Sequence, residues 1–241
     1  MKNHQLPNRR PISGQEVADF APAISPPRTP LIGETAQLEP VDPQAHAADL
    51  FGLSHGHNAP PSLWRYLGYG PFCDQGAFSR WLGECAESAD PLFFAIRDKA
   101  SGQAAGMASY LNIHPEHGRI EIGHIWFAPL LQKTRPATEA LFLLMRQAMD
   151  ALGYRRLEWK CDALNEPSRR AAVRLGFRFE GLFYNHLIVK GRNRDTAWFS
   201  IIDSEWPAVR ANFETWLAPD NFDAGGQQRQ SLRALNQIGQ E

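Results

Sequence analysis

Apolar side chains recur along the middle of the chain with two different periods, and the switches between them predict its elements. Thr35 to Pro40 reads as a first short strand. Pro43 to Leu53 and Phe78 to Cys85 carry helical spacing on either side of an aromatic, Pro-rich and Gly-rich loop, Ser54 to Phe72. Three strands then form a meander: Leu92 to Ile96, Ala105 to Ile113 and Arg119 to Phe127, joined by turns at Asp98 to Gln103 and His114 to Gly118. In the third strand Ile120 and Ile122 share a face, but the apolar run resumes at Ile125 out of phase. Gly123 therefore marks an expected bulge.

Pro129 ends that strand, and Pro136 opens a helix that runs to about Leu152 and stops at Gly153. Leu141, Leu144, Met145, Ala148 and Leu152 keep the 3.6 period, while Phe142 and Leu143 widen the apolar surface, so this helix should be packed on more than one side. Tyr154 to Cys161 alternates Leu157, Trp159 and Cys161 against Arg156, Glu158 and Lys160, the pattern of a strand with one buried face. Strand, helix and strand at this spacing imply a parallel pair joined by a right-handed crossover. Asn165 caps a second helix that ends at Gly176. Phe177 to Val189 and Thr196 to Ile202 read as two antiparallel strands around a turn at Gly191 to Asp195, and Asp203 to Leu217 as a last helix with Val209, Phe213, Trp216 and Leu217 on one face. This order predicts an α+β domain with a mixed, mostly antiparallel sheet and flanking helices.

Composition narrows the class without changing that picture. Of 241 residues, 43% are hydrophobic and 21% charged, with a net charge of −1, which argues against a bulk nucleic-acid binder. No segment has the length and apolarity of a membrane span or the flanks of a secretory signal, so the chain reads as soluble and cytoplasmic. Cys73, Cys85 and Cys161 are too scattered for a disulfide framework and read as small buried hydrophobes. Six of the 18 prolines fall in the first 30 residues, whereas all seven tryptophans lie between Trp64 and Trp216. Residues 1–32 thus read as an extended or disordered arm, 33–217 as one domain, and 218–241 as a polar tail with a short helix at Ser231 to Ile238.

The chemically informative stretch runs from Trp126 to Glu139 and links the bulged strand to the long helix. Free backbone N–H groups at a helix N-terminus bind anions, and Lys133 and Arg135 add positive charge there. On this segment alone, exposed polar residues on an ordinary strand-to-helix connection are the slightly favoured reading.

That stretch resembles the acyl-CoA loop of the GCN5-related N-acetyltransferases (GNAT). The superfamily motif, Gln or Arg, two residues, Gly, one residue, Gly or Ala, meets Gln132, Arg135 and Ala137, followed by Thr138-Glu139-Ala140 as in the Rim-type ribosomal-protein acetyltransferases. A second motif, Asn, two residues, a small residue, then Leu-Gly-Phe, is met by Asn165, Ser168 and Leu175-Gly176-Phe177. Lys190 to Thr196 and Glu205-Trp206-Pro207 also look like that branch. The resemblance implies a GNAT-like sheet with a central splayed parallel pair, and acetyl-CoA entering the gap at the carboxyl ends of the two parallel strands. It implies transfer of an acetyl group directly to a primary amine, on a protein N-terminus or a small molecule.

On this reading the backbone of Ile125, Trp126 and Phe127 pairs with the pantetheine arm. The pyrophosphate lies on Gln132, Lys133, Thr134, Arg135, Pro136, Ala137 and Thr138, and Asn165, Ser168 and Arg170 complete the cofactor contacts. Arg135 stands where the family usually has Gly, and its guanidinium is expected to point outward to a phosphate. The Tyr that many members use as general acid falls at Ala172, which leaves Ser168, then Tyr184, as substitutes. Glu121 is the first candidate for the base and His124 its competitor, having the more suitable unperturbed pKa. Trp64, Tyr66, Tyr69 and Phe72 either pack or wall the acceptor pocket. His55, His57, His114 and His117 read as loop histidines, and no metal is expected. A homodimer is one option for assembly. The rival is a non-catalytic acyl-CoA-binding or protein-interaction module on the same fold.

Overall fold

A computed structural model of the chain describes residues 10, 12–18, 20–57 and 59–238. The start of the arm, 1–9, lies outside the described residues, as do 239–241. One eight-stranded sheet organises the domain: β1 (Leu31–Ile32), β2 (Ala36–Pro40), β3 (Leu92–Asp98), β4 (Ala104–His114), β5 (Arg119–Phe127), β6 (Arg156–Asp162), β7 (Arg178–Val189) and β8 (Arg192–Ile202). Their order is β1-β2-β3-β4-β5-β6-β8-β7, and every neighbouring pair is antiparallel except β5 with β6.

Helices α1 (Pro43–His55) and α2 (Gln75–Glu87) cover one face, where Leu50, Phe78 and Leu82 meet Phe93, Met107 and Trp126 in one core. The other face takes α3 (Arg135–Arg146), α4 (Glu166–Arg174), α5 (Trp206–Leu217) and α6 (Leu232–Ile238). Every residue of α3 from Ala137 to Met145 is buried, as its wide apolar surface predicts. Its outer side is closed by α5, with Phe142 stacked on Phe213 at 4.9 Å. Past Arg146 the helix continues as a π turn over Gln147–Ala151, and the hydroxyl of fully buried Tyr110 donates to the Leu144 carbonyl at 2.5 Å beside it.

Several boundaries differ from the sequence reading. The two-residue β1 carries too few residues for a period. The β7–β8 turn is only Lys190-Gly191, both at positive φ (48° and 72°), as a two-residue hairpin requires. The polar run Arg192 to Asp195, read as turn, is a strand extension. Within β5 the extra residue is His124, at φ 51°: Met107 pairs Trp126 and Ser109 pairs Gly123, so three residues of β5 span two of β4. The bulge thus sits one position beyond the glycine that signals it.

Glu139 explains how the start of the sheet is held to α3. Its buried carboxylate accepts from the backbone N–H of Glu34, Thr35 and Ala36 and from the Thr35 hydroxyl, at 2.6–2.9 Å. A Cβ on Gly33 would lie 2.6 Å from that carboxyl carbon, so only glycine lets the turn approach.

The described parts of the arm and of the tail contact the domain. In the arm, Ala23 N–H donates to Pro115 O and Ile24 N–H to Leu152 O, and Arg10 pairs with Glu180 at 2.7 Å and Glu205 at 2.5 Å. In the tail, Leu232 has no exposed surface. Among the described residues no helix is long and apolar enough to cross a membrane.

Two carboxylates predict how the fold responds to acid. Arg97 grips Glu39 through Nε and Nη2 (2.9 and 2.8 Å) with His46 at 2.7 Å, and Arg156 grips Glu180 at 2.9 and 2.6 Å. These guanidinium hydrogen bonds hold both carboxyls down at about 2, against 4.5 for an ordinary Glu. Because the folded values are depressed, their stabilisation is full above pH 4.5 and is lost as pH falls toward 2. Urea midpoints measured between pH 6 and pH 3 should fall steadily below about 4.5, and less steeply in Glu39→Gln.

Candidate active site

The parallel pairing of β5 with β6 stops early: Arg119, Ile120 and Glu121 pair with Arg156, Leu157 and Glu158, and nothing beyond Glu121 does. The bulge at His124 turns β5 toward β4, so the backbone from Ile122 to Phe127 faces away from β6 without a strand partner on that side. The resulting cleft, about 1250 Å³, opens at the carboxyl ends of both strands and runs to the N-terminus of α3. Open sheets place ligands at such points.

At the α3 end, Thr134 is the N-cap. Its Oγ1 accepts from Ala137 N–H at 3.3 Å and donates to Leu131 O at 2.7 Å. The Gln132 side chain donates to Phe127 O at 2.9 Å and ties the loop to the strand end. The left-handed residue of this loop is Lys133, at φ 61°, not Arg135. A side chain is therefore compatible with the backbone where the family has Gly, but its direction differs from expectation. The Arg135 guanidinium turns back to donate to Leu217 O and lies over the Phe222 ring at 4.9 Å, held there by the folded-back tail, and its Nε has no partner. Ala137 and Thr138 line the cleft; Pro136, in the first turn, does not.

Arg174 is the feature that the sequence reading missed. It donates to Thr138 Oγ1 at 3.2 Å, lies over the Trp216 ring at 5.0 Å, and has no carboxylate partner among the described residues. Burial pushes its pKa down. Its position one turn beyond Arg170 on α4 was the available signal. Arg170 itself stays exposed at the cleft rim, paired with Glu166.

In the centre, Asn165 Oδ1 caps α4 by accepting Ser168 N–H at 3.2 Å. Trp159 Nε1 donates to Ser168 Oγ at 3.0 Å, which leaves the hydroxyl proton free to point elsewhere. Cys161 lies beside Ser168 in the cleft, where burial pushes its thiol pKa up despite that contact. It stays a thiol at neutral pH and offers no ready nucleophile. Ala172 is fully buried, so the position of the usual Tyr is core. Tyr184 is 73% exposed on the outermost strand and does not line the cleft. Being carried by β7, it is separated from β6 by the whole of β8.

Glu121 is buried on the cleft wall. Its Oε2 accepts from Asn112 Nδ2 at 2.7 Å and from Lys160 Nζ at 2.8 Å. Burial raises its pKa and outweighs the Lys160 charge that lowers it. Lys160 also pairs with Glu158 at 3.0 Å and sits over the Trp198 ring at 3.9 Å. His124, its rival, is stacked on Tyr69 with Phe93 tilted against it, and burial first, then the Arg194 charge, push it down to about 4. The order of suitability expected from unperturbed values is thereby reversed.

The aromatic loop divides between its two readings. Trp64, Tyr69 and Phe72 pack with Trp81 and Phe78, whereas Tyr66 and Leu67 line the cleft. His55 is structural: its Nε2 accepts Phe72 N–H at 2.9 Å. Among the described residues no three His, Cys, Asp or Glu side chains converge on one point. Cys85 and Cys161 are buried, but Cys73 is exposed beside the N-cap of α2, contrary to expectation.

Comparison with known proteins gives a consistent picture. The acetyltransferase (GNAT) domain family profile matches residues 37–178. The crystal structure of a GCN5-related N-acetyltransferase from Brucella melitensis is 47% identical, with a TM-score of 0.88 over 91% of this chain and 99% of that one. The uncharacterized N-acetyltransferase p20 of Bacillus licheniformis is 27% identical over 149 residues, 61% of this chain and 83% of that protein. YdaF of Bacillus subtilis (strain 168), described as a candidate ribosomal N-acetyltransferase, is 30% identical over 105 residues, 44% of this chain and 57% of that protein.

Proposed function

The chain belongs to the GNAT acetyltransferase family, and from that premise we propose that it moves the acetyl group of acetyl-CoA directly to a primary amine, with Glu121 as base and Ser168 as acid. Acetyl-CoA-dependent acyl transfer follows from the family; the acceptor and the residue roles are the proposal. The observation that carries it is one continuous cleft in which the splayed strand pair, the N-terminus of α3, Glu121 and Ser168 all meet.

The residues fit the cosubstrate. The β5 backbone at Ile125 to Phe127, unpaired toward β6, suits an arm that carries amides. The α3 N-terminus, with Lys133, Arg135 and half-buried Arg174, suits a diphosphate. When bound, acetyl-CoA supplies an activated carbonyl and a thiolate leaving group. Glu121 Oε1, left free by the two bonds to Oε2, takes the proton of the ammonium so that the neutral amine can attack. The open edge of β5 can offer N–H groups to an oxygen on which charge develops. Ser168 Oγ, held as acceptor by Trp159, keeps its proton for the departing sulfur.

We assign the chain to the Rim-type branch, supported by its likeness to YdaF, with a single catalytic domain over 33–217 and a cytoplasmic setting. Calorimetry with acetyl-CoA should give one site per chain, and thiol release should follow with at least one primary amine of a panel. Binding without turnover on any acceptor would favour a non-catalytic acyl-CoA-binding module, and absence of binding would sink both readings.

A further inference from the structure

On the acceptor side of the cleft one half-buried cation has no counter-charge, whereas Arg65, which also lines the cleft, is exposed. Arg194, on β8, lines the cleft half-buried. Its Nε is shut off from solvent with no hydrogen-bond partner, and among the described residues it makes no ion pair. The carboxylates of the surrounding strands are engaged elsewhere. Glu121 holds Asn112 and Lys160, and Glu158 holds Arg156 and Lys160. Asp195 accepts from Asn185 N–H and Asn193 Nδ2, and Asp162 accepts from Leu164 N–H.

The charge of Arg194 is felt by His124 on β5 and by Cys161 on β6. Thr196 pairs with Asp162, the last residue of β6, so Arg194, two residues earlier on β8, lies just past the carboxyl end of β6, where both Arg194 and Asp162 line the cleft. A partly buried guanidinium without an anion among the described residues is suited to take one from a ligand.

We propose that the acceptor is an amine that also carries a carboxylate, and that Arg194 grips this carboxylate and so places the nitrogen beside Glu121. This assignment rests on the acetyl-transfer reading above. A guanidinium fork matches a carboxylate in two parallel hydrogen bonds. A monoanion fits better than a phosphate, because Lys160 is already neutralised by Glu121 and Glu158. Lys133, Arg135 and Arg174, which have no carboxylate partner among the described residues, belong to the other end of the cleft. Two sources share this chemistry, a free amino acid and a peptide with an acidic first residue.

The test is thiol release with two matched sets of acceptors: amino acids against their amides, and peptides beginning with Asp against the same peptides beginning with Asn. In at least one set the anionic member should have a kcat/KM about tenfold or more above its neutral counterpart. That ratio should collapse toward one in Arg194→Gln and take an intermediate value in Arg194→Lys, which keeps charge but loses the fork. Calorimetry with acetyl-CoA reports whether each variant is folded. Neutral members used equally well in both sets, or a ratio that survives in Arg194→Gln, would overturn the role of Arg194 and leave acetyl transfer standing. Absence of thiol release with every amine would remove acetyl transfer itself, and this assignment with it.

Discussion

Replacing Glu121 by Gln should lower kcat by about 10²–10⁴-fold, the range for loss of a positioned general base, while the acetyl-CoA dissociation constant stays nearly unchanged. The amide is isosteric and its oxygen can still accept from Asn112 and Lys160 (2.7 and 2.8 Å in the native site). The fold of the cleft should survive, and only the proton-accepting atom is lost. The pH profile separates this from a structural effect. A base works when ionised, so the native rate is present above its pKa and falls as pH drops through it. Burial has raised that pKa, so the acidic limb lies higher than for an ordinary carboxylate. In Glu121→Gln this limb should disappear. A profile of unchanged shape would remove Glu121 as base, and His124, held down at about 4, would then need direct testing.

Arg174→Gln should raise the acetyl-CoA dissociation constant by about 10- to 100-fold, the usual worth of a charge-assisted hydrogen bond to an anion. Its effect on the free protein should be small. The native side chain gains one hydrogen bond to Thr138 and a contact with Trp216, but holds a half-buried charge against desolvation. Calorimetry and thermal unfolding together decide the matter: weakened binding with a nearly constant midpoint supports a phosphate contact. A large fall in the midpoint with unchanged affinity would make Arg174 a packing residue instead.

Much of the fold was legible because its elements carry long, regular patterns. The alternation of Leu157, Trp159 and Cys161 and the wide apolar surface of α3 each report a burial environment that a local window can detect. The cap at Asn165 was legible for the same reason, since it acts on the N–H three residues away, whereas the Thr134 cap was not read from the sequence. What stayed hidden depends on contacts across the sheet. Lys160 reads as an outward residue of β6, yet its partner Glu121 comes from β5 and its aromatic cover, Trp198, from β8. A Lys two residues after Glu158 on its own strand, beside a strand that carries Glu121, was the only trace. Likewise Tyr184 shares a hairpin with the cleft residue Arg194 in sequence but lies beyond β8 in space. The pKa reversal of Glu121 and His124 could not be read at all, since each depends on what packs around it and not on its neighbours in the chain.

The folded-back tail sets an order in time as well as in space. The strands that bound the cleft are complete by Asp162, but its phosphate end is also walled by Trp216, Phe222 and the segment Gly226 to Gln228, and Arg135 is fixed by Leu217 and Phe222. During synthesis the amino-terminal parts fold first. A growing chain can thus possess the whole sheet and both reacting side chains while its anion site still lacks a wall. The segment from Trp216 to Gln228 is made after the sheet and both reacting side chains, and it is the part that closes the wall around the phosphate end.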